Sequence, residues 1–218
     1  MMNFEQARLN MVAQQIRTWD VLDQAVLDCI AAIPRDEFVP ESYRTLAYSD
    51  SAIPLGYGET MMTPKIEARL LQSLNLQPND RVLEIGTGSG YLTVLLGSLA
   101  GHVTSIEIRP AFLDSARKRL EAYGTGEVHL EEGNGIDGWE SREPYEVIVL
   151  TGSVSAARPV IERQLAIGGR LFLIVGTSPT MEACLVTRMG DTEFIAESLF
   201  ETDLKPLVGG EAQAQFQF

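Results

Sequence analysis

Residues 81–90 read Arg-Val-Leu-Glu-Ile-Gly-Thr-Gly-Ser-Gly, and no other stretch of the chain limits its fold so tightly. An apolar run of Val82, Leu83 and Ile85 breaks into glycines at alternate positions, Gly86, Gly88 and Gly90. A helical pattern follows at once, over residues 91–100. This is the order of a buried parallel strand, a tight turn and a helix whose N-terminus faces open space. Glycine lets the backbone approach a ligand with no Cβ in the way. The stretch therefore predicts an α/β fold and a nucleotide-like ligand over the turn.

The flanking sequence supports a parallel sheet. Strand patterns over residues 103–108, 128–130, 145–150 and 171–175 alternate with a helix beginning at Pro110 and another expected over residues 156–165. Residues 167–170, Ile-Gly-Gly-Arg, read as a turn. Five strands with intervening helices or loops imply right-handed parallel crossovers. Residues 183–189 and 194–199 flank Gly190-Asp191 and read as an antiparallel hairpin on the sheet edge. Ahead of the sheet, residues 4–19 and 21–33 carry apolar residues at helical spacing, and Pro34 stops the second run. Residues 34–62 keep no period but scatter Phe38, Tyr43, Tyr48 and Tyr57 among prolines and glycines, as an ordered loop lying across a site would. Thr63-Pro64 then starts a helix, with threonine as N-cap. The expected organisation is a single domain over residues 1–218. N-terminal helices and a substrate loop fill 1–75, a cofactor-binding core 76–200 and a weakly patterned tail 201–218.

Bulk properties exclude several functions. With 17 basic against 30 acidic residues and a net charge of −13, the chain is poorly matched to phosphate backbones, so no nucleic-acid partner is expected. No apolar run of about 18 residues exists, so no membrane partner is expected either. The first ten residues lack a signal-peptide core, and Cys29 and Cys184 read as buried free thiols, which together point to the cytoplasm. His102 and His129 stand apart from any ligand-like spacing, so no metal site and no histidine base is expected. The oligomeric state stays open.

The glycine spacing narrows the ligand. A dinucleotide fingerprint needs a third glycine where this chain has Tyr91, and no Gly-Lys-Ser/Thr follows to make a phosphate loop. The pattern Glu84-x-Gly86-x-Gly88-x-Gly90 resembles the class I methyltransferase signature for S-adenosylmethionine. A Rossmann-like class I methyltransferase sheet, with five parallel strands, an edge hairpin and an N-terminal helical extension, is the fold this implies. Glu107 closes the second strand, where a carboxylate can accept from both ribose hydroxyls. Asn134-Gly135 follows the third strand and Thr151 ends the fourth; the resemblance implies that the first lies on the adenine side and the second beside the transferring methyl. The expected cofactor-binding residues are Glu84, Gly86, Thr87, Gly88, Gly90, Tyr91, Glu107, Ile108, Asn134, Gly135 and Thr151.

A closer resemblance covers about residues 8–207. Ile33-Pro-Arg-Asp-Glu-Phe-Val-Pro40, Ala47-Tyr48, Ile53-Pro-Leu-Gly56, Glu59-Thr60 and Pro64 are similar to the protein-L-isoaspartate O-methyltransferase family, as are Val82-Leu-Glu-Ile-Gly-Thr-Gly-Ser-Gly-Tyr91 and Leu165-Ala-Ile-Gly-Gly-Arg-Leu171. The resemblance implies methyl transfer to the α-carboxylate of isoaspartyl residues in damaged proteins. Such a carboxylate is already ionised and needs no general base. The work left to the site is alignment, partial desolvation and exclusion of water. The family's loop reads Thr-Ile-Ser-x-Pro, with its serine at the reacting carboxylate. This chain reads Thr60-Met61-Met62-Thr63-Pro64, so Met62 holds the serine position and cannot donate a hydrogen bond. Thr60, Met62 and Thr63 are the expected acceptor-site residues. Asn134 replaces a usual Asp, Glu146 an Asp on the fourth strand, and Leu204-Lys-Pro-Leu207 the family's Phe-Val-Pro-Leu. These departures leave open a different carboxylate or small-molecule acceptor, or a cofactor-binding relative without turnover.

Overall fold

The computed structural model describes residues 3–212. Its centre is a seven-stranded sheet in the order β5-β4-β3-β6-β7-β8-β9. The strands are β3 (Arg81–Ile85), β4 (His102–Glu107), β5 (Glu127–Glu132), β6 (Tyr145–Val154), β7 (Leu165–Thr177), β8 (Thr180–Arg188) and β9 (Phe194–Thr202). The first five are mutually parallel, and β8 and β9 are antiparallel, so the expected five parallel strands with an edge hairpin are present. The chain leaves β3 towards β4 on one side and returns to β6 on the other. That reversal opens a crevice at the carboxyl ends of β3 and β6.

Helices α4 (Tyr91–Leu99) and α5 (Pro110–Leu120) form the crossovers from β3 to β5. Of the N-terminal elements, α1 (Phe4–Met11) runs through a π turn and a short 3-10 turn to Trp19. Then α2 (Gln24–Ala32) starts where the Asp23 carboxylate accepts from the amides of Ala25 and Val26. Ile66, Leu70, Leu71 and Leu74 line the buried face of α3 (Pro64–Leu74) as their spacing predicts. Each contributes about 1.5–3 kcal/mol by leaving water. One apolar cluster joins Ile30 of α2, Leu70 of α3, Leu95 of α4 and Val103 of β4, so the N-terminal helices share a core with the sheet. No helix among the described residues is long and apolar enough to cross a membrane.

Three expectations need correction. Residues 34–62 are not wholly irregular: β1 (Ile53–Gly56) and β2 (Glu59–Met61) form an antiparallel hairpin. Strands of four and three residues, one carrying Pro54, are too short to show a period of two. The helix expected over 156–165 shrinks to one turn, α6 (Pro159–Glu162), because Tyr145 and Leu165 pair in the sheet and take the chain before a second turn forms. The turn expected at 167–170 lies instead inside β7, as an irregularity in its pairing with β6. Within the tail, residues 203–212 are described and fold back on the sheet; residues 213–218 lie outside the described residues.

Candidate functional site

The crevice is an open cleft of about 710 Å3, lined by the carboxyl ends of four neighbouring strands and by the chain that follows each. From β3 come Ile85, Gly86 and Gly88; from β4, Ile106, Glu107 and Ile108; after β5, Asn134 and Gly135; from β6, Thr151 and Gly152. The glycine turn holds its shape through backbone bonds. Gly86 N donates to Ile106 O at 2.8 Å, and Gly90 N to Thr87 O at 2.9 Å. Gly86 has φ +103°, and a Cβ there would sit 2.1 Å from the Thr151 Oγ1. That hydroxyl donates to the carbonyls of Ile85 and Gly86, which locks β6 to the turn.

Glu107 is fixed by two amides. Gly88 N donates to Oε2 at 2.8 Å and Arg109 N to Oε1 at 2.9 Å. Burial pushes its carboxyl above the usual range, against the pull of these amides and of the Arg109 charge. Each oxygen keeps a second lone pair for a ligand hydroxyl. Asn134 uses Oδ1 to accept from Ile136 N at 3.0 Å, so its amide nitrogen is the atom left to donate. The open glycine turn, the carboxylate and the amide make a donor and acceptor set that fits an adenosine-type ligand.

Other expected cofactor residues stand behind this surface. Glu84 is fully buried beneath the turn, where Oε2 accepts from Thr93 and Ser105 at 2.6 Å each. Burial raises its carboxyl to about 8. Thr87 bonds Ser105 at 2.6 Å. Glu84 and Thr87 line a smaller adjoining void of about 320 Å3 rather than the main cleft. Gly90 and Tyr91 line neither. A Cβ at Gly90 would lie 3.0 Å from the Ala116 Cβ, so this glycine lets α4 and α5 approach. The ring of Tyr91 packs under the Arg35 guanidinium at 5.0 Å and edge-on to Phe38 at 5.3 Å.

The adjoining void is also where Met62 lies, together with Thr60, Leu92 and Glu67. Met62 is buried, and its carbonyl accepts from Arg35 Nη2. Arg35 in turn forms a fully buried ion pair with Glu67. Burial pushes the Glu67 carboxyl up to about 7, against the pull of Arg35. Thr60 lines both the cleft and the void. Thr63 takes the N-cap position of α3, but its backbone carbonyl makes the bonds, to Ile66 N and Glu67 N. Its hydroxyl is buried without a partner and reaches neither cavity. Of the expected acceptor residues, Thr60 and Met62 are brought together with the glycine turn and Thr63 is not.

Sequence reasoning flagged residues 204–207 as a departure from the family but did not place them as the far wall of the cleft. The segment after β9 crosses the end of β6: Ser153 N donates to Lys205 O, and Leu207 N to Ser153 O, both at 3.0 Å. Gly152 leaves room for it, since a Cβ there would be 2.9 Å from the Leu207 Cγ. At the mouth, Glu59 of β2 pairs with both Arg109 and Lys205. Burial pushes the Glu59 carboxyl up, but the bonds from Lys205 and Arg109 outweigh it and hold the group below the usual range. Tyr57, at the hairpin tip, rests edge-on against Phe112 at 5.6 Å and under Arg109 at 5.2 Å. Arg109 and Phe112 sit just past the expected ribose acid, which was a usable signal. Glu59 and Lys205 stand in stretches compared with the family, but nothing local marks them as partners.

Comparison with known proteins matches residues 6–212 to the profile of the protein-L-isoaspartate(D-aspartate) O-methyltransferase family. A protein-L-isoaspartate O-methyltransferase 1 of Rhodopseudomonas palustris (strain HaA2) is 39% identical over 213 residues, covering 97% of this chain and 87% of that one. A protein-L-isoaspartate O-methyltransferase of Protochlamydia amoebophila (strain UWE25) is 39% identical over 202 residues, covering 92% and 96%. A solved protein-L-isoaspartate O-methyltransferase superposes with a TM-score of 0.79 at 25% identity, covering 91% of this chain and 65% of that one.

Proposed function

The chain belongs to the protein-L-isoaspartate(D-aspartate) O-methyltransferase family, and from that premise we propose that it methylates the α-carboxylate of isoaspartyl residues in proteins. S-adenosylmethionine is its methyl donor; when bound, it supplies an electrophilic methyl group on a sulfonium whose departure leaves a neutral thioether. Gly86, Gly88, Glu107, Ile108, Asn134, Gly135 and Thr151 would hold that donor. Glu84 and Thr87 would brace the turn from below, and Gly90 and Tyr91 would seat α4 behind it.

One observation carries the reading: the glycine turn and Glu107 open onto the same space as Thr60, with Met62 in the void beside it. The acceptor oxygen forms a bond to the methyl carbon as the carbon–sulfur bond breaks, and sulfur keeps the electron pair. No proton moves, so a site without histidine suffices. His102 and His129 flank Glu127 near the starts of β4 and β5, away from the strand ends that form the cleft. The chain's part is to hold the carboxylate in line and keep water out. Thr60 offers a hydroxyl for this; Met62 offers only apolar surface. A cytoplasmic setting agrees with the unbridged Cys29 and Cys184.

The test is transfer of labelled methyl from S-adenosylmethionine to an isoaspartyl peptide, with its aspartyl isomer as control. Base-labile label on the isoaspartyl peptide alone is expected. Absence of label while S-adenosylhomocysteine still binds would sink the reading. Met62 at the serine position favours a second reading, another carboxylate as acceptor, and label appearing on small carboxylic acids but not on the peptide would select it.

A further inference from the structure

The cleft has four charged residues in its lining: Glu59, Glu107, Arg109 and Lys205. Two are cations, and they are differently placed. The Arg109 guanidinium is paired with Glu59 and lies over the Tyr57 ring, and the backbone amide of Arg109 is tied to Glu107 on the ribose side. Lys205 stands on the other wall. Its carbonyl accepts from Ser153 N, two residues beyond Thr151, so its stem starts beside the methyl side of the cleft. Its ammonium reaches across to Gly58 O and to Glu59 Oε2, both at 2.8 Å, next to Thr60.

An ammonium has three donors, and two are used here. The Lys205 side chain is 43% exposed, so the third can meet an incoming group. The pairing points the same way. One Glu59 carboxylate is shared between the two cations, while Glu107, the other carboxylate of the lining, is held by backbone amides on the ribose side. A substrate carboxylate would give the Lys205 ammonium a partner of its own. Lys205 also lines a further open groove of about 600 Å3, together with Ser155, Ser178 and Asp203. It thus lines both the cofactor cleft and this neighbouring groove.

We infer that Lys205 is the acceptor-binding residue: its ammonium grips the α-carboxylate of the incoming isoaspartyl residue, supplying the donor that Met62 lacks. The inference rests on the acceptor reading above. It assigns a specificity role to a residue that stands where the family's late segment has valine.

Steady-state kinetics on the isoaspartyl peptide, with calorimetry of S-adenosylhomocysteine binding, separate this role from a purely structural latch on the hairpin. Lys205→Met is expected to raise the peptide KM roughly ten-fold or more, as loss of a charged hydrogen bond does. Cofactor-product affinity should stay within about two-fold, and Lys205→Arg should recover most of the peptide KM. Glu59→Gln, which frees the ammonium from its competitor, should leave the peptide KM unchanged or lower it. A latch makes the opposite prediction: Glu59→Gln and Lys205→Met would then weaken cofactor-product binding together. That outcome, or an unaltered peptide KM in Lys205→Met, overturns the assignment while leaving the acceptor reading intact. A parent chain that binds S-adenosylhomocysteine yet transfers nothing to the peptide overturns the acceptor reading, and the Lys205 assignment with it.

Discussion

The two halves of the site are built on different principles. The proposed donor half is made of consecutive strand ends, and its working groups are largely backbone: the bare turn at Gly86 and Gly88, the amides that hold Glu107, and the chain at Gly135 packed against Ile85. The acceptor half is made of side chains that meet from far apart. Arg35 holds Glu67 and the carbonyl of Met62, and Glu59 gathers Arg109 and Lys205 from 50 and 146 residues away. A backbone site follows from local conformation, so its shape rests mainly on its glycines, with Glu107, Asn134 and Thr151 adding the few side-chain groups. A site of distant side chains can be retuned one residue at a time, as Met62 and Lys205 illustrate.

The largest effect should come from the foundation of the acceptor half. Arg35→Met leaves Glu67 buried without its cation and should cost about 3–5 kcal/mol in denaturant unfolding. Adding Glu67→Gln should recover much of that, because neither charge then remains buried. If the single variant is neutral, the acceptor half does not depend on this pair and the contrast between the halves fails.

Next in size is Gly86→Ala, which probes the donor half with one methyl group. The Cβ must displace the Thr151 hydroxyl and break its bonds to Ile85 and Gly86, at a φ that L-residues avoid. A loss of about 2–3 kcal/mol in S-adenosylhomocysteine affinity is expected, read by calorimetry on a chain that still melts cooperatively. Affinity equal to the parent would mean that the turn is not read through its backbone.

The smallest effect should be at Glu146, where this chain departs from the family's aspartate. Glu146 bonds the amide and guanidinium of Arg81 at the starts of β3 and β6, the opposite end of those strands from the cleft. Glu146→Asp should shift stability by under about 1 kcal/mol and leave kcat/KM within two-fold. A larger kinetic change would show that a family position can matter to the site from the far end of the sheet.

This contrast also explains what could be read from the sequence. Val82, Leu83 and Ile85 announce a strand, the alternate glycines a turn, and Glu107 and Asn134 follow at the next strand ends, so much of the cleft's lining on this side was legible. Even there, the motif could not say which members face the cleft. Glu84 turns inward to Thr93 and Ser105, and Tyr91 to Arg35, because neighbouring strand and helix positions point to opposite sides. The expected helix over 156–165 failed because pairing between Tyr145 and Leu165 overrode a local pattern. The trio of Glu59, Arg109 and Lys205 had no local signature at all, since only the folded chain brings those residues into contact.

The segment that closes the cleft has a bearing on biosynthesis. All five parallel strands and the edge hairpin are translated before residue 203, whereas the wall formed by Lys205, Pro206 and Leu207 comes after them. A nascent chain halted at that point carries the glycine turn, Glu107 and Asn134 along an open trough, with nothing packed over Gly152. A prematurely terminated product would carry the strands of the sheet but lack the wall formed by Lys205, Pro206 and Leu207.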